Sequence, residues 1–164
     1  MKNIRIDTES LGGLAYIYAM PPECILRVRV DYNTNELWPE FRLRDHIIRL
    51  PVMESSPQEF NFSEVHEWAE SGDIYTVSIT GYIPRTKELN DEVIHQLEKG
   101  RWVVLHIDRN GTAYLSGTDD VPLKFTRKRD TGDTPAARNT VGFTFSAVEA
   151  EPSLRVRVAD FDWL

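Results

Sequence analysis

In Trp102-Val103-Val104-Leu105-His106-Ile107-Asp108-Arg109-Asn110-Gly111-Thr112-Ala113-Tyr114-Leu115-Ser116, apolar side chains recur at every second position on either side of a polar centre. That is the period of strands whose successive side chains face opposite ways. Two turns compete for the centre. A two-residue turn at Asn110-Gly111 pairs Ile107 with Tyr114 and Leu105 with Ser116, whereas a type I turn on Asp108-Arg109-Asn110 with Gly111 as the bulge residue pairs Ile107 with Ala113 and Leu105 with Leu115. The second register sets apolar against apolar, and it puts Asp and Gly at the first and fourth turn positions, where each is favoured. It predicts an antiparallel hairpin with Gly111 at positive φ.

Outward from this hairpin the same alternation recurs in Leu14–Tyr18, Ile25–Val30, Phe41–Arg44, Glu59–Ser63, Ile74–Ile79, Leu123–Arg127, Val141–Val148 and Leu154–Val158. About ten strands at short spacing predict an antiparallel β-barrel or β-sandwich, with residues 1–164 forming one β-rich domain. Pro21, Pro22, Pro39, Pro51, Pro57, Pro84, Pro122, Pro135 and Pro152 are read as lying between the runs, where a missing N–H breaks no ladder. One segment departs from the pattern. Leu89, Val93 and Leu97 repeat every four, Asn90 suits an N-cap, Asp91 and Glu92 suit the positive end of the dipole, and Gly100 suits a left-handed C-terminal residue. One packed α-helix is therefore expected over residues 90–99. The inner face of the strand that follows it is expected to place Val103, Leu105, Ile107, Leu115, Phe143 and Phe145 in one core with Val93 and Leu97.

The chain has 164 residues, of which 41% are hydrophobic and 27% charged, and its net charge is −7. Such a composition excludes disorder and collagen-like repeats, and a chain of this length buries roughly 70% of its unfolded surface. A single cysteine, Cys24, excludes an intramolecular disulfide and a cysteine-rich zinc site. No apolar run reaches about 18 residues and the N-terminus has no apolar signal core, so a cytoplasmic chain outside the membrane is expected. The net negative charge does not favour nucleic acid as a partner. Charge is also uneven along the chain. Glu59, Glu64, Glu67 and Glu70 lie in a stretch free of lysine and arginine, whereas Lys124, Arg127, Lys128, Arg129 and Arg138 cluster later, in what reads as a polar loop between strands. The word Leu-Arg-Val-Arg-Val occurs twice, from Leu26 and from Leu154, and lays arginines along one face of each strand.

No phosphate-binding Gly-rich loop, nucleophile elbow, H-E-x-x-H or EF-hand loop is present. No catalytic residue, metal site or cofactor is expected. His106 and Asp108 have the i, i+2 spacing of metal ligands on one strand face, with His66 or His95 as a third ligand. His106 alternates out of phase with Val103, Leu105 and Ile107, however, which reads as a solvated imidazole beside a turn. His66-Glu67 and Asp45-His46 cannot act as acid/base pairs in extended chain, because neighbours point opposite ways; the segment around His66 reads as a helical turn capped by Ser63. Trp38, Trp68 and Trp102 would form the platform of a ligand- or carbohydrate-binding barrel.

A further pattern runs from Tyr75 to Phe145, a little under half the chain. The words Gly81-Tyr82-Ile83-Pro84, Asp108-Arg109-Asn110-Gly111, Tyr114-Leu115-Ser116-Gly117, Pro122-Leu123-Lys124-Phe125, Thr131-Gly132-Asp133 and Gly142-Phe143-Thr144-Phe145 follow one another around a short helix. The series resembles small structural proteins of prophages and phage-like loci of Bacteroidetes. The resemblance implies a non-enzymatic tail or virion component of tail tube, connector or terminator type. It would form rings or tubes with itself and with other phage structural proteins, and be incorporated into the particle after cytoplasmic synthesis. Head-to-tail contact of that kind could join Glu64, Glu67 and Glu70 of one copy to Lys124, Arg127, Lys128 and Arg129 of the next.

Overall fold

The structure, a computed structural model, describes residues 11–50, 52, 60–70, 72–84, 88–130 and 140–157. Among these residues run eleven strands: β1 Leu14–Met20, β2 Ile25–Asp31, β3 Glu36–Phe41, β4 Ile48–Arg49, β5 Asn61–Ala69, β6 Gly72–Pro84, β7 Val103–Asp108, β8 Ala113–Ser116, β9 Lys124–Asp130, β10 Thr140–Glu149 and β11 Leu154–Val156. Helix α1, Glu88–Lys99, lies between β6 and β7. The strands pair antiparallel in three sheets, ordered β11-β8-β7-β1-β4, β5-β6-β10-β9 and β2-β3. None of these sheets closes on itself, so the architecture is a sandwich and not a barrel.

The five-stranded sheet is the middle layer. On one side Ile17, Ala19 and Val104 meet Val77, Ile79, Val141, Phe143 and Phe145 of the four-stranded sheet, with Ile94 and Leu97 of α1 in the same core. On the other side Tyr18, Met20, Val103, Leu105, Ile107 and Leu115 are covered by Val28, Leu37 and Phe41 of the β2–β3 hairpin. The single core expected from the sequence is therefore two. Val103, Leu105, Ile107 and Leu115 do not share a core with Phe143, Phe145, Val93 and Leu97, because β7 is covered on both faces and each parity serves a different layer.

The hairpin register is the one predicted: Leu105 lies opposite Leu115, Ile107 opposite Ala113, and Gly111 has φ +82°. The Asp108 carboxylate accepts the N–H groups of Asn110 and Thr112 at 2.9 and 2.7 Å, which closes the turn.

The segment around His66 is strand β5 and not a helical turn. Residues 124–130 are strand β9, held to β10 over its length, and not a loop; Thr131-Gly132-Asp133 and Arg138 lie outside the described residues. After β3 the chain leaves the strand at Phe41, turns at Leu43 with φ +53°, and forms a 3-10 turn over Arg44–His46. Pro39 sits inside β3, opposite Val28. The helix begins at Glu88, two residues before the expected Asn90 cap, and Gly100 is not left-handed. Instead, a Cβ on Gly100 would lie 2.4 Å from Cζ2 of Trp102, and the Trp102 indole donates to the carbonyl of Leu97 at 2.8 Å. Glycine is there to admit the ring that caps the helix end.

Candidate functional surfaces

The repeated arginine strands turn out to be used within the molecule. Arg27 and Arg29 both grip Glu40, at 2.7 and 2.5 Å, and the hydrogen bond from Arg27 holds the Glu40 carboxyl below its usual range. Arg157 grips Glu36 at 2.6 Å and lies 5.7 Å over the Trp38 ring.

His106 is fully buried, which corrects the expected solvated imidazole. Its face of β7 points at the four-stranded sheet, where the Phe62 ring lies tilted against it at 4.2 Å, and Tyr114 of the neighbouring β8 stacks on it at 5.7 Å. Nε2 is hydrogen-bonded to Ser116 Oγ at 3.0 Å, Ser116 Oγ to Ser153 Oγ at 2.8 Å, and Nδ1 has no hydrogen-bond partner. Burial pushes the His106 pKa down to about 3, against a smaller opposite pull from Asp108, so the ring is neutral. Beside it Glu64 accepts the N–H of Ser153 at 2.7 Å and Glu149 accepts that of Gly117 at 3.2 Å. Burial raises the Glu149 pKa against the smaller downward pull of the Gly117 hydrogen bond, and the Glu64 charge adds to the rise. Serine and imidazole are in hydrogen-bond contact as nucleophile and base are, yet Ser116 too has no exposed surface on which a substrate could meet it. Among the described residues no group of three or more His, Cys, Asp or Glu is placed to hold a metal ion.

The three tryptophans do not make a platform. Trp102 is a core residue, Trp38 sits in the β2–β3 hairpin under Arg157, and Trp68 stands on β5 of a different sheet, 81% exposed.

The acidic and basic residues singled out from the sequence fall on β5 and β9, the two edges of the four-stranded sheet. β5 contains Glu64 and Glu67 with no lysine or arginine, Glu70 follows in the turn, and β9 reads Lys-Phe-Thr-Arg-Lys-Arg-Asp. Not all of these charges are free for a partner. Glu64 faces inward to Ser153, and Arg127 is paired with Glu98 of α1 at 2.5 Å. Glu67, Glu70, Lys124 and Lys128 are exposed, while the side chain of Arg129 lies outside the described residues.

Between those edges the outer face of the sheet carries two polar rows, and beyond them Val65 and Val148 are exposed on either side of Thr76. The register lines up Asn61, Thr80, Thr144 and Thr126 in one row and Ser63, Ser78, Ser146 and Lys124 in the next. Beyond the threonine row Gly142 lies between Tyr82 and Lys128, in a groove of about 690 Å³ that also takes in Asn61, Thr80 and Thr126. Sequence reasoning missed this groove because its rows form only across four strands. The structure is thus a three-layer open β-sandwich with one four-stranded sheet of oppositely charged edges. Compared with family models, curated proteins and solved structures, the chain shows no match. Among the described residues no helix is long and apolar enough to cross a membrane.

Proposed function

We propose that the chain is a non-enzymatic structural subunit of a phage or phage-like particle, of tail tube, connector or terminator type, that joins its copies head to tail. The observation that carries this reading is the charge of the four-stranded sheet: Glu67 and Glu70 at one edge, Lys124 and Lys128 at the other. Unlike edges of one sheet are what a heterologous contact uses, since each copy then offers a neighbour the surface complementary to its own. The phage-like series of words gives the particle. Among the described residues, its glycines and prolines lie in β6 (Gly81, Pro84) and β10 (Gly142), at the β7–β8 turn (Gly111), just after β8 (Gly117) and before β9 (Pro122), so they belong to the scaffold that holds the two edges apart.

Sedimentation at rising concentration in low salt, followed by electron microscopy of the heaviest fraction, tests the reading. Concentration-dependent rings or tubes that dissociate as ionic strength rises are expected, because exposed pairs are screened over roughly 8–10 Å in physiological salt. A chain that stays monomeric at high concentration and low salt overturns it.

A further inference from the structure

Trp68 forgoes the burial that an indole usually gains. It stands near the tip of the β5–β6 hairpin, opposite Asp73, on the side of the sheet that faces the core. At Glu64 that side is still covered through the Ser153 N–H; from His66 onward the β5 side chains are exposed up to Trp68. There His66 stacks on Tyr75 at 4.8 Å and pairs with Asp73 at 2.9 Å, which stiffens the hairpin behind the indole.

The hollow at Gly142 is at the other end of the same sheet and on its outer face. Tyr82, opposite Gly142 on β6, is nine positions beyond Asp73, roughly 30 Å away along the strand. The Tyr82 ring lies beside Gly142, its Cε1 3.5 Å from where a Cβ would stand, and Lys128 flanks it on β9. Tyr82 is 44% exposed. Gly142 has no positive φ, so backbone geometry does not require glycine there.

We infer that Trp68 of one copy seats in the Gly142 hollow of the next, a lap joint repeated along the strand direction. The inference rests on the assembly reading above and narrows its contact to the acidic end of β5, at the hairpin tip, set on the basic end of β9 beside the hollow. Indole and hollow lie at opposite ends and on opposite faces of one sheet, so they cannot meet within one molecule. A second copy displaced along the strands brings the core side of its hairpin tip onto the outer side of the far end, where the two faces overlap. Charge agrees, with Asp73 opposite Trp68 on β6, Glu70 two residues further on in the turn, and Lys128 beside the hollow. Tyr82 and Lys128 offer the indole a ring to pack on and a cation for its face. Each joined pair keeps one free tip and one free hollow, so growth continues.

Trp68→Ala removes the knob and Gly142→Leu fills the hollow; Lys128→Glu, at an exposed site, is the hollow variant to use if Gly142→Leu does not fold. Sedimentation velocity is run on wild type, on each variant and on an equimolar mixture of the two, with thermal unfolding to show that each is folded. Each variant alone should assemble at least tenfold more weakly than wild type. Their mixture should form 1:1 dimers and nothing larger, because the intact tip of one fits the intact hollow of the other and the remaining ends are dead. If wild type assembles and the variants assemble as it does, or if their mixture gives no dimer, the lap joint is wrong while the assembly reading stands. A monomeric wild type overturns both.

Discussion

His106 is neutral because its surroundings cannot solvate a charge: two aromatic rings, a serine hydroxyl and the apolar space between two sheets. The unfolded chain binds a proton there near pH 6.5, the folded chain only near 3. Between those values the unfolded state holds more protons, so this contribution is complete above about pH 6.5 and is lost as pH falls towards 3, by at most about 1.4 kcal/mol per pH unit. Glu149 works in the other direction. Its raised folded pKa favours the fold below its ordinary 4.5, and that contribution is lost as pH rises through the folded value. Urea unfolding at pH 7 and pH 5 should therefore show a larger loss for wild type than for His106→Gln, which keeps a hydrogen-bonding side chain without titrating; equal losses would mean that His106 is exposed. Gly111 is a separate case, since a Cβ there meets open space and the only penalty is its φ of +82°. Gly111→Ala should lower stability by about 1 kcal/mol, read as a shifted denaturation midpoint.

At the scale of elements, β7 ties the layers together, with Val104 and His106 facing one sheet and Val103, Leu105 and Ile107 facing the hairpin. Leu105→Ala should cost on the order of 2–5 kcal/mol, and a loss below about 1 kcal/mol in equilibrium unfolding would contradict its burial under the β2–β3 hairpin. The end of α1 offers a sharper comparison. Gly100→Ala should destabilise more than Gly111→Ala although only Gly111 has positive φ, because the methyl would enter the fully packed Trp102 ring. Parallel thermal melts decide the order.

For the whole molecule, the exposed charges on the two sheet edges are the ones to reverse. Glu64 and Arg127 are engaged within the fold, so changing them would confuse stability with contact. Changing Lys124 and Lys128 to glutamate should slow oligomer formation in light scattering without shifting the melting temperature. Changing Glu67 and Glu70 to lysine in that same chain should partly restore the rate, since steering depends on the sign of the product of charges. A chain carrying all four changes that stays slow would detach the charge pattern from assembly.

Alternation in the sequence was enough to place most strands, and the hairpin of β7 and β8 was legible down to its register, because turn chemistry and cross-strand pairing are local. The helix was legible to within two residues. Where the reading failed, the missing information was which layer lies over a strand. A period of two says that successive side chains face opposite ways, but not whether the second face meets water or another sheet, so alternation alone leaves His106 solvated and merges the two cores. The charges of the acidic and basic runs were plain in the sequence. Their separation to opposite edges of one sheet, the inward turn of Glu64, the pairing of Arg127 with α1 and the hollow at Gly142 were decided by tertiary structure alone, since each depends on strands brought together from distant parts of the chain.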